Sequence, residues 1–497
     1  MGNKGIDTLA GKSEDVYTMM DYKTIIDGLR SEYANEIAFM EVDDEGNVCS
    51  YSYEMFIKDI RKVATYFMQN RINEKVVAIV GNNSYYWLVC AYACLYTDTT
   101  VFPIDSYMDK SAVFELCKTT EVGVVLADET FVVNEKCEMQ GINILSMKDC
   151  FDSEDHMDEY DIRVDESKVI CYMCSSGTTG KSKIVMFSYR NLVAPIKRGW
   201  PRGTNTNGDN IRIMWTMPFF HVGLFSLISI FMDGDTLCVE KSPKYYFRDM
   251  KLFEPHYIPM VPMLYDAIVK KVERGQSIRE ILGNNCSCIC CGAAPLRKEY
   301  IKLLYDEGIR IEHTYGMTET SGLGTENIIS PQSVYKIGSV GKINQYIEIA
   351  LKDGEIIMRG DGVMLGYYGD EKATEETVKD GWLYTGDMGY IDEDGFLYIK
   401  GRKKNLIITS SGENVLPEEI EEFFLQKKIV EEISVYNEND VITAEFYIGS
   451  RKVDEAVIRD AVREYNNETS AAKNIRSIKF RNTRFEKTAT GKIVRKS

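Results

Sequence analysis

The residues with the most chemistry in the shortest space run from Tyr172 to Lys183, in the order Tyr-Met-Cys-Ser-Ser-Gly-Thr-Thr-Gly-Lys-Ser-Lys. An apolar run, Val169 to Cys174, leads into them with the length and composition of a β-strand. Six small residues follow, Ser175 to Gly180. Gly177 and Gly180 admit turns closed to other residues, which lets backbone N–H groups converge on one point. Ser176, Thr178 and Thr179 add hydroxyls, and Lys181 and Lys183 add ammonium groups. No carboxylate interrupts the stretch, so it suits an oligophosphate. A plain Ser/Thr-rich surface loop has the same composition. A Walker A loop would need glycine at position 175 and a helix directly afterwards. This chain has Ser175 instead, and Ile184-Val185-Met186-Phe187 is β-branched and aromatic, as in the second strand of a hairpin.

Ser175–Lys183 resembles the phosphate loop of the adenylate-forming superfamily, which contains acyl- and aryl-CoA synthetases, peptide-synthetase adenylation domains and firefly luciferase. Ser182 stands where that family usually has Pro, and Ile184 where it has Gly. The segment Met186–Leu192 resembles the family's continuation, with Tyr189 in place of a common His. Met217-Pro218-Phe219-Phe220-His221-Val222-Gly223 resembles the gate of acyl-CoA ligases, an aromatic wall with one imidazole. A satisfied core histidine would look alike. Cys291-Gly292-Ala293-Ala294-Pro295-Leu296 resembles the Gly-Gly-Ala-Pro segment against which a flat base lies, although alone it is a plain turn.

Further along, His313-Thr314-Tyr315-Gly316-Met317-Thr318-Glu319-Thr320 is a strong match. The resemblance implies that Tyr315 stacks on adenine with Gly316 also in the nucleotide site, that Thr318 contacts the α-phosphate and that Glu319 holds a magnesium ion. An aromatic face for a purine and a carboxylate for a hard cation are chemically apt. Gly381-Trp382-Leu383-Tyr384-Thr385-Gly386-Asp387 matches as well, and implies that Asp387 accepts from the ribose hydroxyls. In Gly401-Arg402-Lys403-Lys404 the resemblance makes Arg402 the arginine near the ribose and Lys404 the hinge. Ser411-Gly412-Glu413-Asn414 is similar to the loop lining the pantetheine path of CoA ligases. The terminal Lys487-Thr488-Ala489-Thr490-Gly491-Lys492-Ile493-Val494-Arg495 copies the family's last motif, whose catalytic lysine is Lys492. Without the resemblance, Glu319 reads as a solvated acid, Asp387 as a turn former, residues 401–404 as an exposed basic turn and the end as a disordered basic tail.

These residues need a scaffold. Phe56, Ile60, Val63 and Phe67 recur at helical spacing within 51–70. Val76–Val80, Val101–Ile104 and Val122–Ala127 read as short buried strands, and Asn82-Asn83-Ser84 as the cap of an apolar helix reaching about Tyr96. Alternating strands and helices predict α/β architecture with parallel sheets. The expectation is a large multi-sheet N-terminal domain over 1–401, holding ATP and acid, and a small α+β lid over 402–497 that includes a helix at 417–426. Ile213–Met232 has no charged residue over nearly a membrane-spanning length, but Pro218, His221 and Gly223 break it into strand, loop and buried helix. No membrane span is expected, and Met1–Glu14 lacks the apolar core of a signal peptide.

A net charge of −17 argues against a nucleic-acid partner but not against a nucleotide ligand. Thirteen scattered cysteines suit a reducing cytoplasmic compartment. Cys286, Cys288, Cys290 and Cys291 fit a strand that buries small thiols better than a zinc site. The acidic clusters at 371–376 and 418–422 read as solvated faces.

The resemblance covers nearly the whole chain, with its motifs in family order. It implies an AMP-forming ligase that activates a carboxylic acid with MgATP, releases pyrophosphate and passes the acyl group to CoA. The local Phe219, Phe220 and His221 supply no carboxylate for an α-ammonium group, which disfavours an amino acid substrate. Transfer to the phosphopantetheine of a separate carrier protein is the second expectation, no carrier domain being expected after Ser497. A nucleotide-binding protein without ligase activity is the third, on account of Ser182, Ile184 and Ala293.

Overall fold

The structure, a computed structural model, describes residues 7–9, 21–132, 142–175, 183–198, 210–221, 223–260, 262–292, 298–329, 336–343, 346–409, 412–451, 453–487 and 493–495. Contacts divide the chain into two compact units. One comprises Thr8–Ile349 and Met358–Leu383; the other comprises Ala350–Ile357 and Tyr384–Ser497, with the residues up to Asp7.

The larger unit is α/β, as expected, and contains two sheets. One runs in the order Gly366–Tyr367, Ile184–Phe187, Cys171–Cys174, Val101–Ile104, Val76–Val80, Val122–Ala127 and Asn143–Ser146. From Cys171–Cys174 to Asn143–Ser146 its strands run parallel to one another. Valine and isoleucine fill the middle of this sheet because it is covered on both faces. Helix Tyr53–Gln69 buries Phe56, Ile60, Val63 and Phe67, the stripe its spacing predicts, and Ser52 caps it by accepting from the Met55 N–H. Helix Tyr85–Tyr96 is apolar all round and buried except at the half-buried Tyr86, with Ser84 capping the Trp87 N–H.

In the other sheet, Arg310–Gly316, Cys288–Cys291, Tyr257–Met260, Arg212–Trp215, Thr236–Val239 and Ile37–Val42 lie side by side and parallel. The cysteine cluster occupies this sheet's interior: Cys288 packs into one core and Cys291, with Cys286, into another. The charge-free segment divides as predicted into strand Arg212–Trp215 and helix Gly223–Met232, whose Leu224, Phe225, Ile228 and Phe231 are fully buried. No helix among the described residues is long and apolar enough to cross a membrane.

Glu240, which follows strand Thr236–Val239, has a buried Oε2 with no hydrogen-bond partner. Burial, with a smaller contribution from the nearby Asp249 carboxylate, pushes its carboxyl up to about 8. The folded chain therefore holds a proton that the unfolded chain has released, and stability falls as pH rises from about 4.5 to about 8. Glu240→Gln is expected to raise the thermal midpoint by several degrees at pH 8 and hardly at all at pH 4. A midpoint difference that is the same at both pH values contradicts this.

The smaller unit is α+β. Val441–Tyr447 lies between Glu432–Glu438, antiparallel, and Ser477–Arg481, parallel. Helices Pro417–Gln426 and Glu455–Glu468 give Ile420, Phe424, Ile458 and Val462 to a core shared with Ile433, Val435 and Phe446. The hairpin of Trp382–Ile391 with Phe396–Arg402 turns on Asp392, whose Oδ1 accepts from the N–H groups of Asp394 and Phe396.

Candidate active site

Cys171–Cys174 and Ile184–Phe187 form an antiparallel hairpin, with Cys174 opposite Ile184, and the Ser175 N–H donates to the Lys183 carbonyl at 2.8 Å. The phosphate-loop stretch is thus flanked on both sides by strands of one hairpin rather than opening into a helix, which removes the Walker A alternative. Ser176, Gly177, Thr178, Thr179 and Gly180 lie outside the described residues, as do Ala293, Ala294 and Lys492. Gly366–Tyr367 flanks the hairpin on its other side, pairing with Met186 and Val185. This places Tyr367 beside the exit of the loop. Lys183 Nζ sits 4.3 Å above the Tyr367 ring, and the Tyr367 hydroxyl donates to Glu319 Oε1 at 3.0 Å. Sequence reasoning passed over Tyr367, because a strand of two residues carries no periodicity to detect.

Glu319 reaches this point from a tight turn. Strand Arg310–Gly316 ends in the helical turn Thr318–Thr320, and Thr320 Oγ1 donates to the Leu323 carbonyl at 2.6 Å. A Cβ on Gly316 would stand 2.4 Å from the Gly322 carbonyl oxygen, and one on Gly324 would stand 2.0 Å from that of Tyr315. Only glycine permits that approach. Tyr315 and Thr318 are half-buried, and Glu319 is buried. Gly292 follows strand Cys288–Cys291, close enough to the next strand that a Cβ would meet Thr314 Oγ1 at 3.0 Å.

Ser175, Gly292, His221 and the Thr318–Glu319 turn all follow the carboxyl ends of strands that lie parallel to a neighbour. That is where open α/β sheets bind ligands. The segment that carries His221 is fixed from a distance by Asn83. Asn83 donates to the Met217 carbonyl and accepts from the Phe219 N–H, both at 2.8 Å, and Phe219 packs on Trp87. Burial pulls the His221 imidazole below its usual range, opposed by the nearby Asp105 carboxylate, so the ring is neutral at pH 7. The sequence suggested only that Asn83 belonged to a helix cap; its side chain instead fixes the histidine loop. Asn83→Ala is expected to raise the KM for the acid roughly tenfold, the cost of about 1–2 kcal/mol for the lost bonds, and to leave ATP binding within twofold. Equal rises in both KM values would assign Asn83 a general structural role.

The described residues fit magnesium only as a phosphate-borne ion. Among them no group of three or more His, Cys, Asp or Glu side chains could hold a metal. One buried carboxylate, Glu319, beside the hydroxyl of Thr318 suits a cation that takes its other ligands from phosphate and water.

In the smaller unit, Asp387 and Arg402 are paired across the hairpin, Oδ1 to Nε at 2.8 Å, and the Arg402 guanidinium also donates to the Thr385 carbonyl. Asp387 is buried. Lys403 reaches Glu355 at 2.6 Å, whereas burial, with Arg402 and Arg495 nearby, pulls the neighbouring Lys404 ammonium downward. Gly412 has φ +79°, which favours glycine, and its N–H donates to the Thr409 carbonyl. The residues flanking Lys492 are not a loose tail. Lys487 bridges to Ile493, Lys487 Nζ pairs with Glu432 at 2.9 Å, and Arg495 pairs with Glu421 at 2.7 Å and Glu418 at 3.2 Å. The 418–422 acids are therefore not simply a solvated face, since Glu418 and Glu421 hold the end of the chain.

The profile of the AMP-binding enzyme family matches residues 30–368, and the chain belongs to that family. The 2-succinylbenzoate--CoA ligase of Bacillus cereus (strain Q1) is 28% identical over 438 residues, covering 80% of this chain and 87% of the relative. Among solved structures, Bacillus subtilis O-succinylbenzoate coenzyme A synthetase in complex with ATP and magnesium superimposes with a TM-score of 0.79 at 23% identity, covering 95% of this chain and 98% of that one. Mycobacterium tuberculosis fatty acyl CoA synthetase gives 0.72 at 19% identity, covering 95% and 96%.

Proposed function

We propose that the chain is an AMP-forming acid–thiol ligase acting in the cytosol. The observation that carries this reading is the Lys183–Tyr367–Glu319 contact, which joins a phosphate-loop hairpin to a buried carboxylate at the carboxyl ends of parallel strands. Family membership supports it, as does the kinship with CoA ligases.

A carboxylate oxygen of the acid attacks the α-phosphorus of ATP and pyrophosphate departs. Catalysis of such a step is positioning plus stabilisation of charge on phosphoryl oxygens. Residues 175–180 and Lys183 hold the phosphates, Thr318 meets the α-phosphate, Tyr315, Gly316 and the 292–294 segment bound the adenine, and Asp387 with Arg402 takes the ribose. Magnesium bound at Glu319 supplies neutralisation of phosphate charge. Lys492 brings an ammonium to the reacting centre. The region 402–497 then turns about Lys404, withdrawing Lys492 and presenting Gly412 to the acyl-adenylate. The CoA thiolate attacks the carbonyl carbon and AMP leaves with the bonding electrons. A moving lid also keeps water from the labile intermediate.

The 217–221 segment supplies no carboxylate of its own for an α-ammonium group, and 2-succinylbenzoate, the acid in the names of the relatives, is the first to try. The test is a panel of aryl, dicarboxylic and fatty acids in a pyrophosphate-release assay, repeated with CoA and with phosphopantetheinylated carrier proteins. AMP formation that depends on one acid and on CoA is the expected result. Release that needs a carrier and ignores millimolar CoA makes the chain a carrier-loading enzyme; no release with any acid overturns the reading.

A further inference from the structure

We propose that Tyr367 is a positioning residue for the adenylation step, its hydroxyl aiming the Glu319 carboxylate and its ring steadying the Lys183 ammonium. This rests on the ligase reading above. Three segments distant in sequence meet at this side chain: the exit of the phosphate loop, the Thr318–Thr320 turn and the strand Gly366–Tyr367. Tyr367 is 6% exposed and Glu319 8%, so neither side chain has room to swing freely. The backbone repeats the connection, since the Met364 N–H donates to the Glu319 carbonyl at 2.9 Å.

Tyr367 is itself fixed from behind. Its N–H donates to Thr374 Oγ1 at 2.9 Å, and a Cβ on the preceding Gly366, at φ +149°, would stand 2.8 Å from Thr374 Cγ2. Its register opposite Val185 determines which way the ring faces. A carboxylate has two oxygens. With Oε1 occupied by the Tyr367 hydroxyl, Oε2 is the one left to face a hard cation, and the rotamer is selected before the cation arrives. Partners that orient a ligating carboxylate are worth about 10–100-fold in metal affinity. The ring contributes separately, through attraction of the ammonium to its face.

The two contributions separate in binding measurements. Calorimetry of ATP binding across a magnesium titration is the readout, with thermal midpoints recorded alongside. In Tyr367→Phe the ring remains and the hydroxyl is gone. The magnesium concentration that gives half of the gain in ATP affinity is expected to rise about tenfold or more, while metal-free ATP binds as in the unsubstituted chain. Tyr367→Leu removes the ring too, and metal-free ATP affinity should fall several-fold. Glu319→Gln should erase the magnesium-dependent gain, and adding Tyr367→Phe to it should change nothing more. A Tyr367→Phe titration that superimposes on that of the unsubstituted chain overturns the proposal and leaves the ligase reading standing. An unsubstituted chain that binds no ATP with magnesium present overturns both. Should Tyr367→Phe fail to fold, 3-fluorotyrosine at position 367 replaces it: its fluorine resonance is expected to move when magnesium joins the ATP-saturated protein, and a resonance that stays in place overturns the proposal.

Discussion

Lys492→Ala is expected to slow acyl-adenylate formation by about two to three powers of ten, the usual loss when a group that meets developing phosphoryl charge is removed. The same substitution should leave thioester formation from a supplied acyl-adenylate near its original rate, because the proposed cycle has the lysine withdrawn by then. Rapid-quench measurement of each half-reaction separates the two. Equal loss in both would contradict the division of labour between lysine and pantetheine loop. The flanks of Lys492 make this a test of the side chain rather than of folding: the bridge from Lys487 to Ile493 and the Val494 N–H bond to the Glu486 carbonyl at 2.9 Å are formed by backbone on either side and do not involve the side chain at 492.

Arg495→Met should have the largest effect on stability. Arg495 lies against helix Pro417–Gln426, joined to Glu421 and Glu418, and donates to the Val435 carbonyl at 3.1 Å. The Glu421 side chain is 13% exposed, and its carboxyl is raised by burial and lowered again by Arg495. Removing the arginine strands that charge, at a cost of about 3 kcal/mol, the lower end of what breaking a buried pair costs because Arg495 keeps some solvent contact. Denaturant unfolding should register the loss, and adenylation should suffer more than thioester formation, since Arg495 closes the segment that carries Lys492. The double substitution Arg495→Met with Glu421→Leu should recover most of the stability, as apolar replacement of a buried pair commonly does. A single substitution costing under about 1 kcal/mol would show the pair to be a surface ornament.

Local pattern revealed much of this fold. Val76–Val80, Val101–Ile104, Val122–Ala127 and Pro417–Gln426 have the bounds that β-branched runs and a proline at a helix start suggest. The composition of Ile184–Phe187 alone distinguishes a hairpin from a Walker loop, because β-branched residues pack on a pleated surface. What stayed hidden depends on contacts between residues far apart. Asn83 acts 134 and 136 positions away, Tyr367 acts 48 positions from Glu319, and Arg495 acts 74 positions from Glu421. No window of sequence contains both partners. The opening helix Tyr22–Tyr33 and the hairpin Ile37–Val42 with Val48–Ser52 were also unread, since the family motifs begin beyond them.

The two-residue strand Gly366–Tyr367 has one more consequence, for anyone dissecting the chain. It covers the outer rim of Ile184–Phe187. A fragment that stops short of residue 366 would uncover a row of unpaired amides on an isoleucine–valine strand, the kind of rim that recruits other chains and aggregates. Residue 383, where the larger unit ends and Thr374 is still in place to hold Tyr367, is therefore a safer place to cut than residue 358.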